Sequence, residues 1–255
     1  MTKLKVLDLF SGIGGFSLGL ERTGGFSTVA VCEIDEFCRR LLSRRFPNAR
    51  QYDDVRTLTA ERLAHDGIHR VNVITGGFPC QDVSNAGKRA GIEGSRSGLW
   101  SEIHRLAGEL RPDYLVVENV AALLDRGMGR VLGDLAAIGF DAEWDCISAA
   151  DIGLPQARDR VWIVAYPQGV HVEKPPMVAA QIIHGKSRGT WTYEGGPVSG
   201  GQADQPPLVG MVDGVPARLD GRDYGNRAAS LGNSVVPQIP ELIGHAILEA
   251  ERAAA

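Results

Sequence analysis

Short apolar runs of strand length alternate with helix-period patterns over the first 165 residues of the chain. Residues 4–10, 27–33, 71–75, 114–118 and 161–165 are rich in Val, Leu and Ile and read as buried strands. Between them, apolar positions recur with a helical period over 16–22, 37–46, 99–110 and 128–138. The helix at 37–46 carries Arg39, Arg40, Arg44 and Arg45 on its polar face. Such alternation predicts an α/β fold, a parallel-dominated sheet with helices on both faces. Beyond residue 166 the texture changes to Gly- and Pro-rich, loop-like sequence up to about 230, and a last helix is expected at 240–250. The chain therefore divides into a core at 1–166, a short irregular insert at 167–230 and a returning segment at 231–255.

Composition narrows the function classes. With 255 residues and 44% hydrophobic content, the chain can bury a sizeable core. Lys and Arg number 27 against 31 Asp and Glu, a formal charge of −4, which disfavours a protein that coats nucleic acid by bulk charge. The acids are unevenly placed: residues 112–152 hold eight acids and two bases, whereas 84–111 hold five bases and three acids. An anionic partner is thus expected at the middle loop or at the late segment. The four cysteines (Cys32, Cys38, Cys80 and Cys146) include no C-x-x-C pair and share no zinc-like spacing with histidine, so no metal is expected. No run of 18 apolar residues predicts a membrane span, and the start lacks a secretory apolar region. A reducing cytoplasmic compartment is the expectation.

In doubly wound sheets, ligands lie beyond the carboxyl ends of the strands. Five groups of residues stand there. Asp8-Leu9-Phe10-Ser11-Gly12-Ile13-Gly14-Gly15 is a strand, a glycine turn and a helix start, suited to close backbone approach and to an anion at the helix amino end. Glu33 ends the second strand 18 residues after Gly15, near the offset at which an acid meets ribose hydroxyls. Asp54, after Gln51-Tyr52, could similarly reach an adenine amino group; a solvated strand-end acid is the alternative for both. Cys80, in Gly76-Gly77-Phe78-Pro79-Cys80-Gln81, is placed like a nucleophile rather than a core thiol. Glu118, followed by Asn119, ends an apolar strand, where desolvation favours its protonated form and so a proton-donating role; a helix cap is the alternative. Arg158 and Arg160, two apart just before residues 161–165, would point the same way and suit a phosphate or carbonyl oxygen, or pair with Asp159. Gly232-Asn233-Ser234-Val235 leads into the last helix.

In this order, these motifs resemble the DNA (cytosine-5) methyltransferase family over residues 4–166 and 231–250. The resemblance implies a Rossmann-like methyltransferase fold and S-adenosylmethionine bound by Phe10, Gly12, Gly14, Gly15, Glu33, Asp54, Asn233 and Ser234. It implies double-stranded DNA as partner, with a cytosine flipped from the duplex. Cys80 would be the nucleophile, Glu118 the proton donor at ring nitrogen 3, and Arg160 the holder of the ring carbonyl. Arg158 would steady the nucleophile or a phosphate. Gln81, Lys88, Arg89 and Asn119 would meet the DNA, together with Lys186 and Arg188 of the insert. The chain departs from the family in its short insert and in its unrecognisable next-to-last motif, for which residues 212–219 stand in. A monomer is expected. The rival readings are an RNA (tRNA) cytosine-5 methyltransferase, a catalytically idle nucleic-acid-binding homologue, and a nicotinamide dehydrogenase, which only the glycine loop favours.

Overall fold

Successive residues of the central strands enter two different cores. The computed structural model describes residues 2–79, 99–152, 158–169, 230 and 232–254. Strand β1 (Leu4–Leu9) sends Val6 to one core and Leu7 and Leu9 to the other. Strand β5 (Tyr114–Val120) likewise sends Tyr114 and Val116 one way, Leu115 and Val117 the other. This two-residue period with both faces apolar is what a strand buried between helical layers requires. The remaining strands are β2 (Phe26–Cys32), β3 (Arg50–Tyr52), β4 (Val73–Gly77), β6 (Phe140–Ser148) and β7 (Asp159–Pro167).

The seven strands lie in the order β3-β2-β1-β4-β5-β7-β6. Pairings from β3 to β5 are parallel, and β7 runs antiparallel to both β5 and β6. The expected parallel-dominated sheet is therefore present, with β7 alone reversed. Two strands, β3 and β6, escape the sequence reading. The strand expected at 71–75 runs instead through Gly77, and β7 begins at Asp159, so Arg160 lies inside the strand and not before it.

One face of the sheet is covered by α1 (Gly15–Arg22) and the last described helix, Gln238–Ala253. The other is covered by α3 (Ala60–His65), α4 (Trp100–Leu110) and, beyond a short helix α5 (Leu123–Arg126), by α6 (Met128–Ala137). Helix α2 (Glu36–Arg45) follows β2, capped by Asp35, whose carboxylate accepts from Cys38 N–H at 2.9 Å. The last helix, α7, reaches α1 through glycines. An ideal Cβ on Gly19 would stand 2.1 Å from the Pro237 carbonyl oxygen, and one on Gly15 2.5 Å from that of Val235. Only hydrogen at these two positions admits the returning segment, which brings Asn233 to the carboxyl end of the sheet. Residues 170–229, and with them nearly all of the expected insert, lie outside the described residues.

Candidate active site

A cavity of about 540 Å³ opens at the carboxyl ends of β1, β2, β4 and β5. It has two chemically distinct halves.

The first half is built around the β1–α1 turn. Phe10 (φ 52) and Gly12 (φ 52) both adopt the left-handed region, which folds the turn back over the strand end. Glu33 fastens this turn: one carboxylate oxygen accepts from Gly12 N–H at 2.7 Å and the other from Asp35 N–H at 2.8 Å. The Arg39 guanidinium donates to the Glu33 and Ile34 carbonyls at 3.0 and 2.6 Å, which fixes the end of β2. Ile34 is 69% exposed yet lines the cavity, an apolar surface beside two acids. Asp54 lines it from the far side.

Beneath the turn sits Asp8, fully buried. Its carboxylate accepts from Ser17 Oγ at 2.7 Å and Thr75 Oγ1 at 2.8 Å, linking β1 to α1 and β4. Burial pushes this carboxyl up to about 7, against the lowering influence of those hydroxyls and of the Ser17 N–H. Asp8 thus ties the glycine turn's flanking elements together from below, and burial favours its protonated form.

The second half is built on β4 and β5. Glu118 pairs in register with Gly77, where an ideal Cβ would lie 3.1 Å from its carboxylate, so the glycine makes room for the acid. Arg160 Nε meets Glu118 Oε1 at 2.8 Å. Burial raises the Glu118 proton affinity; the Arg160 and Arg158 guanidinium groups oppose that rise. Asn119, 2% exposed, donates from Nδ2 to the Phe78 carbonyl at 3.1 Å and so holds the β4 exit that leads to Pro79 and Cys80. Arg158 Nη1 donates to the Gly232 carbonyl at 2.7 Å, tying the returning segment to this half.

Of the expected site residues, Phe10, Gly12, Glu33, Asp54, Glu118, Asn119, Arg158, Arg160 and Asn233 all line this one cavity. Gly14, Gly15 and Ser234 do not. Gly14 packs against Phe46 and Leu42, Gly15 against Val235, and Ser234 is buried. Cys80, Gln81, Lys88, Arg89, Lys186 and Arg188 lie outside the described residues, although Pro79, which precedes Cys80, is on the cavity wall. Ile34, Arg39 and Arg56 were missed by sequence reasoning. Only Ile34 carried a signal, as an apolar residue directly after the strand-end acid.

The charges divide with the halves. Among the described residues that line the cavity, Glu33, Asp35, Asp53 and Asp54 stand with one guanidinium, that of Arg56, on the first half, and Arg158 and Arg160 with one carboxyl, that of Glu118, on the second. An acidic wall suits a cationic ligand, and a basic wall an anionic or carbonyl-rich one. Over Gly12 a Cβ would meet no atom within 4 Å, so the space above the turn is open. These features fit a sulfonium nucleoside in the first half. Among the described residues, no group of His, Cys, Asp and Glu is arranged to hold a metal ion. No helix among them is long and apolar enough to cross a membrane.

The strand order and the cavity at the carboxyl edge define the Rossmann-like fold that S-adenosylmethionine-dependent methyltransferases share. A crystal structure described as a DNA modification methyltransferase from an E. coli prophage superposes with a TM-score of 0.56 at 28% identity, over 65% of this chain and 47% of that one. The chain belongs to the C-5 cytosine-specific DNA methylase family, whose model matches residues 4–193. It is 35% identical over 170 residues to the type II methyltransferase M2.BsuMI of Bacillus subtilis, covering 64% of this chain and 42% of that protein. It is also 35% identical over 192 residues to M.Sau3AI of Staphylococcus aureus, covering 68% and 46%. The matches thus span less than half the length of these curated relatives. The family implies S-adenosylmethionine as cofactor.

Proposed function

We propose that the chain transfers a methyl group from S-adenosylmethionine to carbon 5 of a cytosine in double-stranded DNA. The observation that carries this reading is the single cavity that joins an acidic, glycine-turn half to the Glu118–Arg160 half, with Pro79 on its wall. The first half would hold the cofactor. Glu33 and Asp54 would take the hydroxyl and amino donors of its nucleoside, and Ile34 would cover an apolar ring face. Bound there, S-adenosylmethionine supplies an electrophilic methyl group on a sulfonium.

The second half performs the ring chemistry. Cytosine carbon 5 is a poor nucleophile until a group adds at carbon 6. The Cys80 thiolate would form that bond, and carbon 5 then carries enamine electron density. Glu118 is suited to protonate or hydrogen-bond ring nitrogen 3, because burial keeps its proton at higher pH than an exposed carboxyl would. Arg160, fixed against Glu118, presents its remaining donors to the ring carbonyl. Asn119 acts indirectly by holding the Phe78 carbonyl and hence the approach to Cys80. After transfer, loss of the carbon-5 proton expels the thiolate. A base would have to leave its duplex to reach Glu118, which is buried at the end of β5. Residues 167–230, with Lys186 and Arg188, would read the DNA, and Gln81, Lys88 and Arg89 would follow the nucleophile onto it. The enzyme would act as a cytoplasmic monomer.

Incubation with double-stranded DNA and methyl-labelled S-adenosylmethionine, followed by bisulfite mapping, tests the reading. Label at carbon 5 of cytosines in DNA is expected; label in tRNA and none in DNA would sink it. Cys80→Ser is expected to abolish transfer while cofactor binding persists, and full activity in that variant would rule out the covalent route.

A further inference from the structure

We propose that Arg56 is a specificity-determining positioning residue: it leaves Asp54 a single free acceptor site, tuned to the exocyclic amino group of the cofactor's purine. The inference rests on the cofactor reading above and concerns which nucleobase the first half of the cavity accepts.

Asp54 and Arg56 both line the cavity, two residues apart at the start of the one-turn helix Val55–Thr57. The Asp54 carboxylate caps that helix, its Oδ1 accepting from Arg56 N–H at 3.0 Å. The Arg56 side chain turns back onto the same carboxylate. Its Nε donates to Oδ1 at 2.9 Å and also approaches Oδ2 at 3.1 Å, and its Nη2 donates to Oδ2 at 2.7 Å. This is the two-pronged arrangement that guanidinium and carboxylate planes favour.

The consequence follows from counting lone pairs. An ionised carboxylate offers about four acceptor positions. The fork takes the two that face each other across the carboxylate, and the capping N–H takes the second position on Oδ1. One position is left, on Oδ2. An N–H donor satisfies it. A carbonyl oxygen placed there meets an acceptor with no hydrogen to share and with its rotation blocked, so the carboxylate cannot turn away or recruit water between the two. Adenine presents an amino donor at its six position, and hypoxanthine presents a carbonyl. The fork therefore converts a tolerant surface acid into one that distinguishes the two edges.

Exposure argues against a role in holding the fold. The Arg56 side chain is 62% exposed and that of Asp54 26%, and ion pairs so placed contribute little to folding stability. Loss of Arg56 leaves the backbone cap intact but frees the carboxylate to rotate and hydrate. Lysine would restore charge without the planar fork, since an ammonium is a point donor.

The test measures binding of S-adenosylhomocysteine and S-inosylhomocysteine to the whole chain by titration calorimetry, for the parent protein, Arg56→Ala and Arg56→Lys. We expect the parent to prefer the adenosyl compound by about ten-fold or more, the size of one satisfied against one frustrated polar contact. Both variants should shrink that preference to within about three-fold at unchanged melting temperature. A parent protein that discriminates, with variants that discriminate equally well, overturns the proposal while leaving the cofactor reading intact. A parent that binds neither compound overturns the cofactor reading itself.

Discussion

Asp8→Asn isolates the free-energy cost of ionising a buried carboxyl. The Asp8 carboxyl is fully buried, and burial raises it from an ordinary value near 3.8 to about 7. Its folded-state proton affinity exceeds its unfolded one, so between those two values the native state holds a proton that the unfolded state has released. Stability is then lost as pH rises towards 7. Between pH 5 and 8 about two pH units fall inside this window, which corresponds to roughly 2.5 kcal/mol from this one group. Asparagine preserves the shape and can preserve the bonds. Its oxygen can accept from Ser17 while its amide donates to a reoriented Thr75 hydroxyl, the two partners that Asp8 now holds at 2.7 and 2.8 Å. Urea denaturation of both proteins at pH 5 and pH 8 measures the difference. Asp8→Asn should gain stability relative to the parent by roughly 2–3 kcal/mol on going from pH 5 to 8. Glu118, raised in the same direction, contributes equally to both proteins and cancels. Parallel stability profiles over this range would refute the reasoning and mean that Asp8 is already ionised at pH 5.

Three further outcomes can be measured. Gly19→Ala places a methyl group where the Pro237 carbonyl oxygen stands 2.1 Å away; it should cost about 1–3 kcal/mol in denaturant and weaken cofactor binding as the returning segment is displaced. Arg160→Gln removes the guanidinium that opposes the burial-raised proton affinity of Glu118, so the alkaline limb of the kcat profile should move to higher pH although kcat itself falls; a limb that stays in place or moves down would count against Glu118 as the titrating acid. Asn119→Ala leaves the buried Phe78 carbonyl without its 3.1 Å donor; kcat should drop about ten-fold or more with little change in S-adenosylhomocysteine affinity, a split that calorimetry and single-turnover rates would resolve.

The sheet was legible where both faces of a strand are apolar. Residues 114–118 and 161–165 announce themselves as runs of Val, Leu and Ile because helices cover each side. Strand β6 was not legible, since Asp141, Glu143 and Asp145 alternate there with Ala142, Trp144 and Cys146 at the sheet margin and little of it is buried. The candidate site followed the same rule. Glu118 and Glu33 stood out as acids closing apolar strands, a position where the backbone must deliver them to one edge. The tie from Asn119 to Phe78 and the fold-back of Arg56 onto Asp54 depend on side-chain rotamers and on a partner 41 residues away in the first case. No periodicity records them. Gly14 and Gly15 were read as ligand-facing because glycine marks any close approach, and here the approaching groups are Phe46 and the Val235 carbonyl.

The glycine seam between α1 and the segment before α7 has a bearing on when the enzyme comes into being. The turn that would cradle the cofactor begins at Phe10, yet Asn233 lines the same cavity, and the groups packed against the glycines of α1 belong to Val235 and Pro237. The first and last parts of the chain are thus one structural unit, closed over more than 200 intervening positions. Contacts so distant in sequence form late, because the connecting chain must first be confined. A growing polypeptide would carry every residue of Glu33, Asp54 and Glu118 long before it owned a finished pocket. The methyl transfer proposed above would then wait for the final helix to dock, and a product truncated before that helix is expected to be silent rather than unselective.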